Sequence, residues 1–402
     1  MTRKIISILL CLTMIVALAT ACSSGGQPAA SQAPSAAPSA APATDAGTAP
    51  TDAPQESEAP KTGFKIAYSV GYVGNAWRSQ LVSSLEEAVE EYKADGTIVD
   101  FQIVSADNDS TNQINQCNAL LSSGIDALLI CAVSPTTLTP VVERAKELGV
   151  LLVISNDPAV YDDTYNVIND AYNYSMLIND WFMEKINGEG NVVYISGNPG
   201  NGTDMIRDQA VHDSIAANPG VKLLAEAPGK RQQTEAQTVM TTFLSTYKDI
   251  NGVMCQNTTF EGVMKAYENA GVEPPVVCGD PVMSSLRLLN TLPETYDTVC
   301  VTNSPAVSVA SLHFTVLLLQ GYEVDESKLK PNPLDESYVN CIMVDPPYAI
   351  TRDGDPNAAY LKNYPFTTAL SLKDALEMYK DAEDTYIPDK AMSYDDMRTF
   401  FK

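Results

Sequence analysis

The chain has 402 residues, with 50 Asp and Glu against 25 Lys and Arg and a formal net charge of −25 at pH 7. No basic cluster interrupts the acidic excess, which argues against a nucleic-acid partner. The eight cysteines include no Cys-x-x-Cys pair and only His212 and His313 could add imidazole, so neither a metal site nor a cofactor is expected.

Residues 1–21 have the order of an export signal, with Arg3 and Lys4 ahead of an apolar run at 5–21. The run is shorter than the roughly 20 residues that span a bilayer comfortably. Leu18-Ala19-Thr20-Ala21-Cys22 resembles a bacterial lipobox, whose cysteine is acylated and becomes the mature N-terminus. That resemblance makes Cys22 a lipid anchor and places the protein on the extracytoplasmic face of a bacterial cell membrane. Residues 23–62 contain no Ile, Leu, Val, Met, Phe, Tyr or Trp. Such a segment cannot bury enough apolar surface to offset its ordering entropy, so 22–62 reads as a lipidated, disordered tether. A flexible coil of that length spans on the order of 35 Å.

The body, from residue 63 onward, alternates strand and helix patterns. Residues 64–70 read as a buried strand, and 75–92 as a helix with Trp77, Leu81, Leu85, Ala88 and Val89 on one face. A strand at 101–104, a helix at 112–123, a strand at 127–132, a helix at 137–148 and a strand at 150–155 follow. The rhythm restarts with strands at 191–196, 222–225, 252–255 and 276–278, separated by helices at 203–217, 234–246 and 259–270. This order predicts an α/β fold of parallel sheets covered by helices on both faces. The six body cysteines sit partly in apolar runs and read as buried free thiols.

Two units echo each other. Gly124-Ile125-Asp126-Ala127-Leu128 leads through a helix to Gly149 and a strand ending in Asp157-Pro158. Asp249-Ile250-Asn251-Gly252-Val253 leads through a helix to Gly271 and a strand ending in Asp280-Pro281. Each half thus carries an acid at the carboxyl end of a parallel strand, where open α/β sheets bind ligands.

An ordered series of motifs over about 63–350 resembles the type I periplasmic binding proteins, in particular the ribose- and galactose-like sugar binders. It runs from Lys65-Ile66-Ala67-Tyr68-Ser69 and Asn75-Ala76-Trp77-Arg78 through Ser105-Ala106-Asp107 and Ala145-Lys146-Glu147-Leu148-Gly149-Val150. It continues with Gln256-Asn257 and Gly279-Asp280, and closes at 299–305. The resemblance implies two Rossmann-like three-layer lobes joined by a three-segment hinge, one from 63–170 plus 305–335 and the other from 171–304 plus 336–402. It also implies a site made of Asn75, Trp77, Asp157, Arg207, Asn257, Asp280 and Asn303. Arg78 is expected to supply the positive charge absent at Pro158, and Asp107 to reach the cleft. Planar side chains of these types satisfy adjacent hydroxyls, and an aromatic face covers the C–H side of a sugar ring.

The function implied is capture of a small polar solute, a monosaccharide or polyol, by a monomeric, non-enzymatic lipoprotein that serves an ABC transporter permease. A sensor of the same fold and a nucleoside binder are the alternatives, and a carbohydrate-active enzyme using Asp157 and Asp280 as paired carboxylates is the third. Gly197-Asn198-Pro199-Gly200-Asn201-Gly202 has the wrong glycine order for a nucleotide loop, and residues 107–111 lack the glycine and glutamate of a calcium loop. The tail at 351–402 exceeds the length usual for the family, and it is expected to pack on the second lobe.

Overall fold

A computed structural model describes residues 62–256 and 258–402. The signal, Cys22 and the tether lie outside the described residues, as does Asn257. In chain order the first half forms β1 (Phe64–Val70), α1 (Ala76–Ala94), β2 (Ile98–Ser105), α2 (Ser110–Ser122), β3 (Ala127–Ile130), α3 (Thr139–Leu148), β4 (Leu151–Ser155) and β5 (Tyr165–Asn169). Next come α4 (Ala171–Lys185), β6 (Glu189–Ser196), α5 (Gly202–Ala217), β7 (Gly220–Pro228), α6 (Gln233–Thr246), β8 (Gly252–Cys255), α7 (Phe260–Ala270), β9 (Val276–Val277), α8 (Met283–Thr291) and β10 (Cys300–Val301). The chain ends with α9 (Val307–Leu319), β11 (Lys330–Asn332), β12 (Asp335–Val344), β13 (Tyr348–Thr351), β14 (Thr368–Ser371), α10 (Leu372–Met378) and α11 (Tyr394–Arg398).

The first sheet has the order β11-β12-β5-β4-β3-β1-β2, parallel except where β11 meets β12. Its central strands β1, β3 and β4 are almost wholly buried because both faces are covered. Ile66, Tyr68 and Val70 pack under α1 and α9, and Ala67, Leu128 and Ile130 under α2 and α3. The second sheet is β7-β6-β8-β9, all parallel, with α6 and α7 packed side by side and α4 beside α5. A short sheet, β10-β13-β14, continues it through the Gly279 N–H to the Val299 carbonyl at 3.0 Å. The two echoing glycines have the same use: Gly149 (φ 68°) and Gly271 (φ 66°) end α3 and α7 in the left-handed conformation that other residues avoid.

Three segments cross between the lobes, from β5 to α4, from β10 to α9 and from β12 to β13. They are bonded to one another. The Asp170 N–H donates to the Val344 carbonyl at 2.9 Å, and the Asn169 side chain donates to the Ser304 carbonyl at 3.0 Å.

Two parts differ from the sequence reading. Residues 336–344 were expected in the second lobe, yet β12 pairs with β5 in the first sheet, where Cys341, Ile342 and Val344 are buried. The tail begins on the second lobe, where Leu370, Leu372 and Ala375 pack against α8, but Ile387, Met397 and Phe401 join the core of the first. Helix α4 had no counterpart in the sequence reading. Tyr174, Leu177, Ile178, Trp181, Phe182 and Met183 are all buried, which leaves only a narrow polar stripe of Asn173, Asp180 and Glu184 to mark an amphipathic helix. Burying each large side chain of this kind contributes about 1.5–3 kcal/mol.

Candidate functional site

The facing carboxyl ends of the two sheets meet around Asp157. Asn75 caps α1, its side-chain oxygen accepting the Arg78 N–H at 2.9 Å, so Trp77 and Arg78 enter the first turn pointing at the seam. Arg78 is 2% exposed, and its Nη2 donates to Asp157 Oδ2 at 2.5 Å. Its Nη1 donates to Cys131 Sγ, whose thiol in turn reaches the same carboxylate oxygen at 3.1 Å. The other oxygen, Oδ1, accepts from Thr203 Oγ1 at 2.7 Å, and Thr203 belongs to α5 of the second lobe. One carboxylate therefore bonds both lobes. The approach is close: a Cβ added at Gly202 would lie 3.0 Å from the Pro158 carbonyl.

The charges balance by pairs. Burial alone would push the Asp157 carboxyl up, but Arg78 and then Arg231 outweigh it and hold it well below the usual carboxylate range. Arg231 itself donates from Nε and Nη2 to Asp204 Oδ1, at 3.0 and 2.5 Å. Asp204 Oδ2 accepts the Asn198 N–H at 2.7 Å. Removing one member of such a buried pair costs about 3–5 kcal/mol, because the other charge is stranded. Arg207 is 1% exposed and lies over the Tyr174 ring, 4.5 Å from its centroid, and burial pulls its guanidinium down.

Between the lobes lies a void of about 10 Å3, with Asn75, Trp77 and Asn303 on one side and Thr203, Arg207 and Arg231 on the other. Trp77 has two uses at once. Its ring packs in the first lobe's core while bordering the void, and its indole N–H donates to the Asn303 carbonyl at 2.7 Å. Asn303 Oδ1 is buried and has no hydrogen-bond partner among the described residues. At the mouth a cavity of about 530 Å3 is bounded by Tyr72, Asp107 and Asn108 from the first lobe and Asn198, Lys230 and Gln232 from the second. A larger groove of about 950 Å3 involves α6, α7 and α8 of the second lobe only, so lobe closure cannot act on it.

The sequence-expected residues thus separate by depth. Asn75, Trp77, Arg207 and Asn303 border the void, while Arg78 and Asp157 form the ion pair behind it. Asp107 stays exposed at the mouth. Asp280 is buried just beyond β9, and Asn257 lies outside the described residues. Thr203, Arg231, Asn156 and Thr258 were missed. A signal existed for Arg231, since Lys230-Arg231 is a basic pair directly after a strand in a very acidic chain. Backbone strain marks the seam as well: Asn156 (φ 62°), Arg231 (φ 56°) and Thr258 (φ 64°) are left-handed without being glycine. The Thr258 hydroxyl donates to the Arg231 carbonyl at 2.8 Å, which holds two of these residues together.

Other readings find their places. His212 bonds Glu226 at 3.1 Å on the second lobe's surface, and the six body cysteines are free and buried. Among the described residues no cluster of three or more His, Cys, Asp or Glu is arranged for a metal, and no helix is long and apolar enough to cross a membrane.

Residues 66–323 match the family described as periplasmic binding protein domain. The chain belongs to this family. The xylitol-binding protein of Mycolicibacterium smegmatis is 26% identical over 213 residues, which cover 52% of this chain and 61% of that protein. The galactofuranose-binding protein of Escherichia coli is 26% identical over 211 residues, covering 50% of this chain and 64% of that protein. The chain therefore spans less than two thirds of either relative. An ABC transporter solute binding protein from Thermobispora bispora shares the fold, with a TM-score of 0.69 at 24% identity, covering 84% of this chain and 94% of that one. The two-lobed α/β architecture is the fold that the sequence resemblance implied.

Asp280 gives this periplasmic binding protein domain a pH signature. Its Oδ1 accepts the Val282 N–H at 3.3 Å, Oδ2 has no partner among the described residues, and burial pushes the carboxyl up from 3.8 to about 7. A raised carboxyl favours the protonated folded state, so its contribution is complete below about pH 4 and lost as pH rises through about 7. Asp280→Asn, which is always neutral, is expected to exceed wild type in stability at pH 8, with the gap closing toward pH 4. Urea denaturation at both pH values reads this, and an unchanged gap across the range would contradict it.

Proposed function

We propose that this chain is an extracytoplasmic solute-binding lipoprotein that captures a small polyhydroxylated solute, a monosaccharide or polyol, and passes it to an ABC importer permease. The observation that carries the reading is the polar seam buried between two facing sheets, with Trp77, Asn303, Arg207 and Arg231 around one void. A void of about 10 Å3 holds roughly one water molecule, so a solute enters only when the lobes part, and they then close around it at a wider separation than in this structure. Hydroxyls of the solute donate to Asn303 Oδ1 and accept from Arg207, while the Trp77 ring covers an apolar C–H face. The relatives' names, xylitol-binding and galactofuranose-binding, support a polyol or sugar as the class. Closure changes the relative position of the lobes, which is what a permease can read. No catalytic step is part of this reading.

Two experiments test it. In a thermal-shift panel of polyols, monosaccharides, nucleosides and amino acids, a polyol or sugar at about 100 times its Kd is expected to stabilise the chain by about 2.7 kcal/mol. A shift with nucleosides or amino acids alone would overturn the solute class. For the anchor, Cys22→Ser is expected to abolish lipid labelling and release the protein from the membrane fraction, whereas retention of the label would assign acylation elsewhere.

A further inference from the structure

The tail contains a fourth connection between the lobes. After α10 it runs along α8 of the second lobe, where the Ser284 N–H donates to the Asp384 carbonyl at 2.9 Å and the Met283 N–H to the Tyr386 carbonyl at 2.8 Å. The next residue is held by the first lobe. Gln80 of α1 accepts the Ile387 N–H at 2.8 Å and donates to the Ile387 carbonyl at 2.9 Å, a two-point grip by a side chain only 9% exposed. Tyr386 and Ile387 are consecutive, so no slack separates the two attachments. Beyond them the tail stays on the first lobe, where the Asp325 N–H donates to the Phe400 carbonyl at 2.8 Å and Met397 and Phe401 are buried.

The same stretch grips the middle crossing segment. The Thr302 hydroxyl donates to the Pro388 carbonyl at 2.9 Å. Asp389 Oδ2 accepts the Ser304 hydroxyl at 3.0 Å and the Ala306 N–H at 2.9 Å. Ala306 is the N-cap of α9 and has no side chain able to cap it. Asp389 supplies that cap from 83 residues away, with its negative charge at the positive end of the helix. Burial pushes the Asp389 carboxyl up to about 6, so the cap is retained against a desolvation cost.

On the reading that the lobes open and close, we infer that residues 384–389 form a slack-free strap across the lobe junction, with Gln80 and Asp389 as positioning residues that fix the axis and limit the amplitude of opening. Rotation of the lobes has to pivot at Tyr386–Ile387, beside the segment entering α9, or break the Gln80 grip. The strap thus determines whether Thr203 returns to Asp157 on closure.

The test uses the full chain without solute, with spin labels click-coupled at the exposed positions of Val99 and Val272, one on each lobe. Wild type is expected to give a narrow interlobe distance distribution by pulsed electron resonance. Gln80→Leu and Asp389→Ala are each expected to broaden it toward longer distances while the chain still melts cooperatively. Asp389→Asn, which keeps an acceptor for Ser304 and Ala306, is expected to restore the wild-type width. Wild-type distributions in folded Gln80→Leu and Asp389→Ala would overturn the proposal, and a broadening that Asp389→Asn fails to rescue would remove Asp389 from it. Because no solute is present, failure of the solute panel leaves this result standing, and the reverse also holds.

Discussion

One carboxylate bonds the two lobes across the seam. Asp157 sits at the end of a first-lobe strand with Arg78 on one oxygen and Thr203 of the second lobe on the other. A buried carboxylate survives only when its charge is matched and its lone pairs are used, and here the two requirements are met from different sides of the seam. Arg78 is permanent, since it arrives with the capped first turn of α1. If the lobes open and close as proposed, Thr203 leaves and rejoins the carboxylate with lobe position. The ion pair therefore keeps the acceptor charged and aimed, and the neutral hydroxyl contributes the reversible part of the contact. A net value of about 1 kcal/mol for such a hydrogen bond is small enough to be reversed by thermal opening and large enough to bias closure.

Around this contact the second lobe has its own balanced pair, Arg231 with Asp204, and Arg231 also lowers the Asp157 carboxyl across the seam. The two pairs resemble opposing plates held at a set distance. The residues that border the void lie between them: Trp77 and Asn303, tied to each other through the indole N–H, and Arg207 over Tyr174. The left-handed residues Asn156, Arg231 and Thr258 bring strained backbone to the same seam, where neighbouring hydrogen bonds hold it.

Much of this was legible in the chain. The βα rhythm to Cys278 and the paired Gly and Asp-Pro positions come from short-range patterns, which a single sequence displays well. Asn75, Trp77, Arg207 and Asn303 all border the void, and their placement near strand ends and helix starts was readable from local pattern. What escaped was set by tertiary context. Helix α4 is buried on too many sides to show a period, and β12 joins β5 across more than 160 residues of sequence. The role of Asp157 also changed: both its oxygens are used by protein donors, and sequence spacing carries no trace of Thr203 approaching from the other lobe.

The central claim is that the Asp157–Thr203 hydrogen bond supplies the reversible part of closure. It is tested most directly by single-molecule energy transfer between dyes on the two lobes of wild type and Thr203→Val, without solute. Valine keeps the shape of threonine and removes only the hydroxyl. The account predicts that the open-to-closed ratio rises about fivefold, the equivalent of about 1 kcal/mol. An unchanged ratio in the folded variant would contradict it.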